Sequence, residues 1–154
     1  YDVQTRMLAK IAEFSDSRER DQPLDWERVH MVSCAKLGQI FALKRGVDPE
    51  LAAIACAVHD YGRVVSGKQE DHAAAAYGPL KKFLGGMECF SPEEIELIAL
   101  AAKNHSNKAE IGSPLEEIVK DADVLDCRQY GQILPREEQK QRLAKIMAEL
   151  GYEA

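Results

Sequence analysis

The stretch Asp48-Pro49-Glu50-Leu51-Ala52-Ala53-Ile54-Ala55-Cys56-Ala57-Val58-His59-Asp60 decides how this chain is read. Asp48 followed by Pro49 is a helix start. A carboxylate can accept the free N–H groups of a first turn, and proline's fixed φ suits the first helical position. Leu51, Ile54, Ala55 and Val58 then share one face at the helical period. The helix closes on His59-Asp60, so two titratable groups end an apolar stripe. Polar groups placed against a core need partners, and here those partners must come from neighbouring elements.

Outward from this helix the chain is a succession of others. Upstream, a helix is predicted from Leu24 to Lys44, carrying His30 and stopped by Gly46. A first helix places Val3, Met7, Ile11 and Phe14 on one face, and the polar run from Ser15 to Pro23 reads as a solvated linker after it. Downstream, a helix from Asp71 to Leu84 buries Ala73, Ala76, Tyr77, Leu80 and Phe83 before Gly85-Gly86. Ser91-Pro92-Glu93-Glu94 and Ser113-Pro114-Leu115-Glu116 both have the form of a capping box. The first opens a helix bearing Ile95, Ile98, Ala99 and Ala102 that ends near His105. The second opens one bearing Ile118, Ala122 and Leu125. Leu143, Ile146, Met147 and Leu150 mark a last helix, ended by Gly151. No segment alternates with period two for long. The fold class is therefore all-α: a single-domain helical bundle of about six to seven helices. Residues 1–22 form an N-terminal helix and polar linker packing on a main domain at 23–154.

Composition agrees. The chain has 154 residues, enough for one domain with its own core. A net charge of -6 and a pI near 5.3 argue against a nucleic-acid backbone as partner. No apolar run approaches a membrane span. Cys34, Cys56, Cys89 and Cys127 lie far apart without a C-x-x-C motif. They are expected as reduced, small core residues of a cytoplasmic protein. No signal peptide is visible, although the chain opens on Tyr1 rather than Met.

The chemistry centres on four histidines, His30, His59, His72 and His105. A His-Asp doublet alone is commonly a helix end or a surface pair. Its company changes that reading. His30 lies on the preceding helix, and Ile118-Val119-Lys120-Asp121-Ala122-Asp123-Val124-Leu125-Asp126 sets an aspartate inside an apolar helical stripe, where an unpaired carboxylate would be costly. The order His30, His59-Asp60, Asp123 resembles the HD superfamily of metal-dependent phosphohydrolases. His59-Asp60-Tyr61-Gly62-Arg63 is similar to its HD-x-G-(K/R) stretch, and Asp121-Ala122-Asp123-Val124-Leu125-Asp126 to its A-D-x-L-D stretch. The similarity runs from about Trp26 to Arg128.

The resemblance implies an HD-type bundle with a divalent metal on His30, His59, Asp60 and Asp123. Such a mixed N/O set suits Mn, Fe, Ni, Co, Zn or Mg. His72 and His105 are candidate ligands of a second ion, so one or two ions per chain are expected. Asp121 and Asp126 are expected to cap or face solvent. Arg63 is the candidate phosphate clamp, whereas Lys68 reads as a solvated cation. Asp60, or Glu70 or Asp71 nearby, could orient the attacking water. Trp26 and Tyr61 could stack on a base, though both read more naturally as packing residues. The expected activity is hydrolysis of a small phosphate ester, a nucleotide by analogy, with neither nucleic acid nor membrane as partner and no oligomeric state implied. The rivals are a non-catalytic regulatory module that binds nucleotide or metal, a di-iron oxygenase, and a helical scaffold with incidental histidines.

Overall fold

The computed structural model describes residues 1–152. Glu153 and Ala154, the last two of the 23–154 span, lie outside the described residues. Among the described residues every regular element is helical: α1 Asp2–Ile11, α2 Leu24–Arg45, α3 Pro49–Val58, α4 Tyr61–Ser66, α5 His72–Gly85, α6 Pro92–Asn104, α7 Pro114–Gln129 and α8 Glu137–Glu149. Among the described residues no helix is long and apolar enough to cross a membrane.

These eight helices are one more than the sequence suggests, and α4 is the addition. His59 keeps helical angles (φ -59°, ψ -32°) as the cap of α3, but Asp60 turns to φ -95°, ψ 14° and starts a new six-residue helix. Gly67, at φ 74°, ends it in the left-handed region. So short an element shows no hydrophobic period, which is why only a helix end is legible at the doublet.

The predicted starts form as their chemistry requires. The Asp48 carboxylate accepts the N–H groups of Glu50 (2.9 Å) and Leu51 (3.1 Å). Ser91 and Glu94 make the reciprocal capping box, and Ser113 accepts the N–H of Glu116. The central α2 packs against α3 and α7. α5 packs on α4 and α6, α1 rests on α2 and α3, and α8 covers α7. Two glycines allow the approaches that shape the site. A Cβ on Gly38 would stand 2.4 Å from Cys56 Sγ, at the α2–α3 contact, and one on Gly62 would stand 2.0 Å from the His72 carbonyl oxygen. The second contact draws α4 onto the first turn of α5, so Asp60 and His72 arrive together.

Two sequence expectations change here, for Asp121 and for the cysteines. The polar run after α1 is largely exposed and is tied to the body at a few points. Arg20 donates to the carbonyls of Arg63 and Val64 (3.1 Å each), Asp21 N–H donates to Gly67 O (2.8 Å), and the Asp16 carboxylate accepts Leu24 N–H (2.8 Å). Asp121 neither caps nor faces solvent. It is buried between Arg142 (2.9 Å) and Arg45 (2.7 Å), tying α7 to α8 and α2. Of the cysteines, Cys34 and Cys56 are core residues, but Cys89 is exposed and Cys127 is half-buried.

Candidate metal centre

Three of the four histidines are set by one local device. The Nδ1 of His59 bonds to Cys56 O, that of His105 to Ala102 O, and that of His72 to Gln69 O, each at 2.6 Å and three residues back. An imidazole whose Nδ1–H donates to a carbonyl is held in one tautomer, with the Nε2 lone pair facing away. His30 sits within α2, where the carbonyls belong to the helix. Its Nδ1 instead bonds to the Asp126 carboxylate at 2.7 Å, which also accepts Ser33 Oγ–H at 2.8 Å. Asp126 is thus buried behind His30, and its expected capping or solvent-facing place is corrected. Trp26 stacks on the His30 ring at 4.8 Å and 12°.

The four Nε2 atoms converge in two pairs. His30 and His59 face each other at 3.2 Å, and so do His72 and His105. Asp60 stands between the pairs. Its Oδ2 lies 3.4 Å from His30 Nε2 and 3.1 Å from His59 Nε2. Its Oδ1 lies 3.0 Å from His72 Nε2 and 3.4 Å from His105 Nε2. Asp123 joins the first pair, with Oδ1 3.2 Å from His30 and 3.7 Å from His59. All six residues named from the sequence therefore meet in one place. Two facing imidazole lone pairs repel unless a proton or a cation lies between them, and nitrogen and carboxylate oxygen in this mixture suit a divalent transition ion. Three groups offer ligand atoms within 4.8 Å of one another: His30, Cys34 and His59; His30, Asp123 and Cys127; and His59, Asp60 and His105.

Burial and charge tune these groups. Burial opposes ionisation of Asp60 and Asp123. The Arg63 guanidinium and His59 nevertheless hold the first carboxyl well below its usual range, and the Lys108 ammonium and His30 hold the second. Burial also disfavours a charged His30 or His59, yet the facing carboxylates outweigh it and raise both. At His105 burial prevails, helped by His59 and Lys108, and the ring is pushed down to about 4, neutral at ordinary pH. Cys127 Sγ lies 3.5 Å from Asp123 Oδ1, and burial with that carboxylate raises its thiol.

Arg63 occupies a different position from the one expected of a phosphate clamp. Its fork meets Glu27 twice, Nε to Oε1 at 2.8 Å and Nη2 to Oε2 at 3.0 Å, while Nη1 donates to Gln69 Oε1 at 2.9 Å and Nη2 also contacts Asp60. The guanidinium is buried and four of its five N–H donors are engaged, which makes it a holder of Asp60, although it also lines the cavity. Lys68 is exposed and bonds to Glu19 O, in keeping with a solvated cation. Glu70 and Asp71 are exposed, and Asp71 lines the cavity at φ 54°. Tyr61 packs on Phe83 at 4.9 Å, whereas Trp26 lines the cavity.

Three residues of the site escaped the sequence reading. Glu27 carries a usable signal, because it precedes His30 by one helical turn and is an acid on a core-facing stripe. Asp126 belongs to the motif that singles out Asp123, where it is expected to cap or face solvent. Lys108 gave no signal. It follows a helix end in a polar loop, yet its Nζ is buried, 2.7 Å from Asp123 Oδ2 and in contact with His105 O. Of these groups His30, Asp60, Arg63, His72, His105, Lys108 and Asp123 line a cavity of about 740 Å³, whose wall also includes Trp26 and residues 132–136 between α7 and α8.

The comparisons with known proteins concern this same region. The family model described as HD domain matches residues 28–128, from α2 to the end of α7. The chain is 34% identical over 102 residues to a ribonuclease Y of Chlorobium luteolum. That alignment covers 66% of this chain but 18% of the relative, so the chain spans less than a fifth of that protein's length. Among solved structures, a predicted HD superfamily hydrolase from an uncultured Thermotogales bacterium shares the fold, with a TM-score of 0.64 at 17% identity, over 97% of this chain and 88% of that one.

Proposed function

The chain belongs to the HD domain family, and on that premise we propose that it is a metal-dependent phosphohydrolase of small phosphate esters, with nucleotides as the favoured substrate class. The observation that carries the reading is the pairing of imidazole nitrogens at 3.2 Å on either side of Asp60, whose two oxygens each face one pair. His30, His59, Asp123 and Asp60 Oδ2 would hold one ion. His72, His105 and Asp60 Oδ1 would hold a second. Bound ions would supply charge for the phosphoryl oxygens and lower the pKa of the attacking water.

The chain's own groups supply the rest. Asp60, fixed by Arg63, keeps one oxygen towards each half of the site. Lys108 holds Asp123 Oδ2 and leaves Oδ1 to face the histidines. The water oxygen bonds to phosphorus, the P–O bond to the leaving group breaks, and the water proton goes to the departing oxygen. A cavity of about 740 Å³ exceeds what a bare phosphate needs and suits a nucleotide-sized ester. The net charge of -6 favours a small ester over a polymer. The likeness to a ribonuclease supports phosphodiesters alongside monoesters. The complete ligand set speaks against a non-catalytic module.

The test is metal analysis joined to turnover. Wild type loaded with Mn²⁺ or Fe²⁺ under reducing conditions should hold two ions, and His72→Ala and His105→Ala one each. Wild type should hydrolyse p-nitrophenyl phosphate, bis(p-nitrophenyl) phosphate or a nucleotide, and both variants should lose most of that activity. A saturated wild type with one ion refutes the paired centre. One with no ion and no hydrolysis refutes the function.

A further inference from the structure

The cavity has cations at three depths. Arg63 is spent on Glu27 and Asp60 and Lys108 on Asp123, while Lys103, in the side wall, sits over the Tyr77 ring at 5.1 Å. At the mouth stands Arg136, the N-cap of α8. We propose that Arg136 binds a second phosphoryl group of the substrate, adjoining the one that lies at the metal centre. The inference rests on the phosphohydrolase reading above and names the substrate class more narrowly: a phosphate ester or anhydride bearing two or more phosphoryl groups.

The geometry is carried by one peptide. Ser106 O accepts the Lys108 N–H at 3.0 Å and the Arg136 Nη1–H at 2.9 Å. Lys108 and Arg136 therefore hang from the same carbonyl, one turned inward and one outward. The Lys108 ammonium is 1% exposed and lies at the metal ligand Asp123. The Arg136 side chain is 43% exposed, with Glu138 3.5 Å from Nη1 as its carboxylate neighbour. Its backbone is fixed as well, since Arg136 N–H donates to Gln139 Oε1 at 3.1 Å. The Nε and Nη2 donors have no hydrogen-bond partner among the described residues and form the flat edge that matches a phosphate in two-point fashion. Asp21 and Asp71 also line the cavity and would repel an anion. A substrate with one phosphoryl group at the ions and another beyond it thus finds favourable charge on the Ser106 side, at Arg136.

The experiment compares inorganic pyrophosphate with inorganic phosphate, by calorimetry on metal-loaded protein freed of excess ion. The readout is the ratio of the two affinities. Wild type should favour pyrophosphate. Arg136→Ala should lower the ratio by about ten- to a hundredfold, the range for a hydrogen bond to a charged group, and Arg136→Lys should restore part of it. Nucleoside diphosphate turnover should show the loss in KM rather than kcat. Equal ratios in wild type and Arg136→Ala overturn the proposal, and so does a wild type without preference. Failure of the wild type to hydrolyse any ester overturns the phosphohydrolase reading instead, because the binding ratio is measured without turnover.

Discussion

Arg63→Met tests whether Arg63 holds the centre together or grips substrate. Methionine keeps much of the length and removes the charge. Three partners lose their donors: Glu27 (side chain 1% exposed), Asp60 (9% exposed) and Gln69. Removing one member of a buried ion pair costs about 3–5 kcal/mol, because the charge left behind is uncompensated. That is a large share of the roughly 5–15 kcal/mol by which domains are stable. In a chain of this size about 1 kcal/mol moves the midpoint by roughly 2–4 °C, so the metal-free variant should melt about 6–20 °C lower. A metal ion would itself compensate Asp60, so the gap to wild type should narrow on loading. Glu27→Gln should be milder, about 1–3 kcal/mol, since Arg63 retains Asp60. Thermal and urea unfolding followed by circular dichroism, with chelator and with Mn²⁺, gives all four numbers. If metal-free Arg63→Met unfolds within about 1 kcal/mol of wild type while KM rises, the reasoning fails. Arg63 is then the phosphate clamp that its place after the doublet first suggested.

Asp126→Asn keeps an acceptor behind His30 but removes the charge that makes the ring basic. Metal affinity should fall about 10–100-fold in competition with a chromophoric chelator, and an unchanged value would mean that His30 needs no such support. In the metal-free protein the raised values of His30 and His59 stabilise the fold fully below the ordinary 6.5, and that contribution is lost as pH climbs through the raised values. Metal must displace those protons, so affinity should strengthen as pH rises, and calorimetry in buffers of different ionisation enthalpy should record proton release. Binding without released protons would contradict the assignment. Gly62→Ala should cost about 1–3 kcal/mol or more, because its Cβ would stand 2.0 Å from His72 O and 2.9 Å from Ala76 Cβ. It should also weaken metal binding by displacing His72, and wild-type unfolding and metal content together would show the α4–α5 contact to be adaptable.

The sequence carried the helices because each long one has a start signal or an apolar stripe, as Asp48-Pro49 and Ser91-Pro92 illustrate. It carried the convergence of histidines and aspartates because a carboxylate such as Asp123 inside an apolar run demands a partner. What it missed was of another kind. Lys108, Asp126 and Glu27 act on groups distant in sequence, and nothing in a charged residue's own neighbourhood says whether its charge will be solvated or used inside. Asp121 and Asp126 read as capping or solvent-facing residues because their motif singles out Asp123, yet the helix turns them towards Arg45, Arg142 and His30. Arg63 is the converse case. Its position beside the doublet was legible, but the Glu27 that occupies its fork lies on another helix.

The placement of the histidines follows from helix ends. The last carbonyls of a helix lack N–H partners within it. Cys56 O and Ala102 O belong to the last turns of α3 and α6, and each receives the Nδ1 of a histidine three residues on. One bond thereby satisfies a carbonyl, fixes a tautomer and aims Nε2 off the end of the helix, towards whatever element crosses there. His72 does the same with Gln69 O from the start of α5. No second helix is needed to hold any of these three rings. His30 lies inside α2 and has no free carbonyl, so it alone borrows a side chain, Asp126, from α7. The two halves of the centre should therefore differ in what supports them. The His72–His105 half depends on the local integrity of α5 and α6, whereas the His30–His59 half depends also on the packing of α2 against α7. Asp126→Asn should accordingly weaken one ion before the other, and two-step chelator titration of the loaded protein should separate a weakened ion from an unaffected one. Equal weakening of both would show that Asp60 couples the halves more strongly than their separate supports divide them.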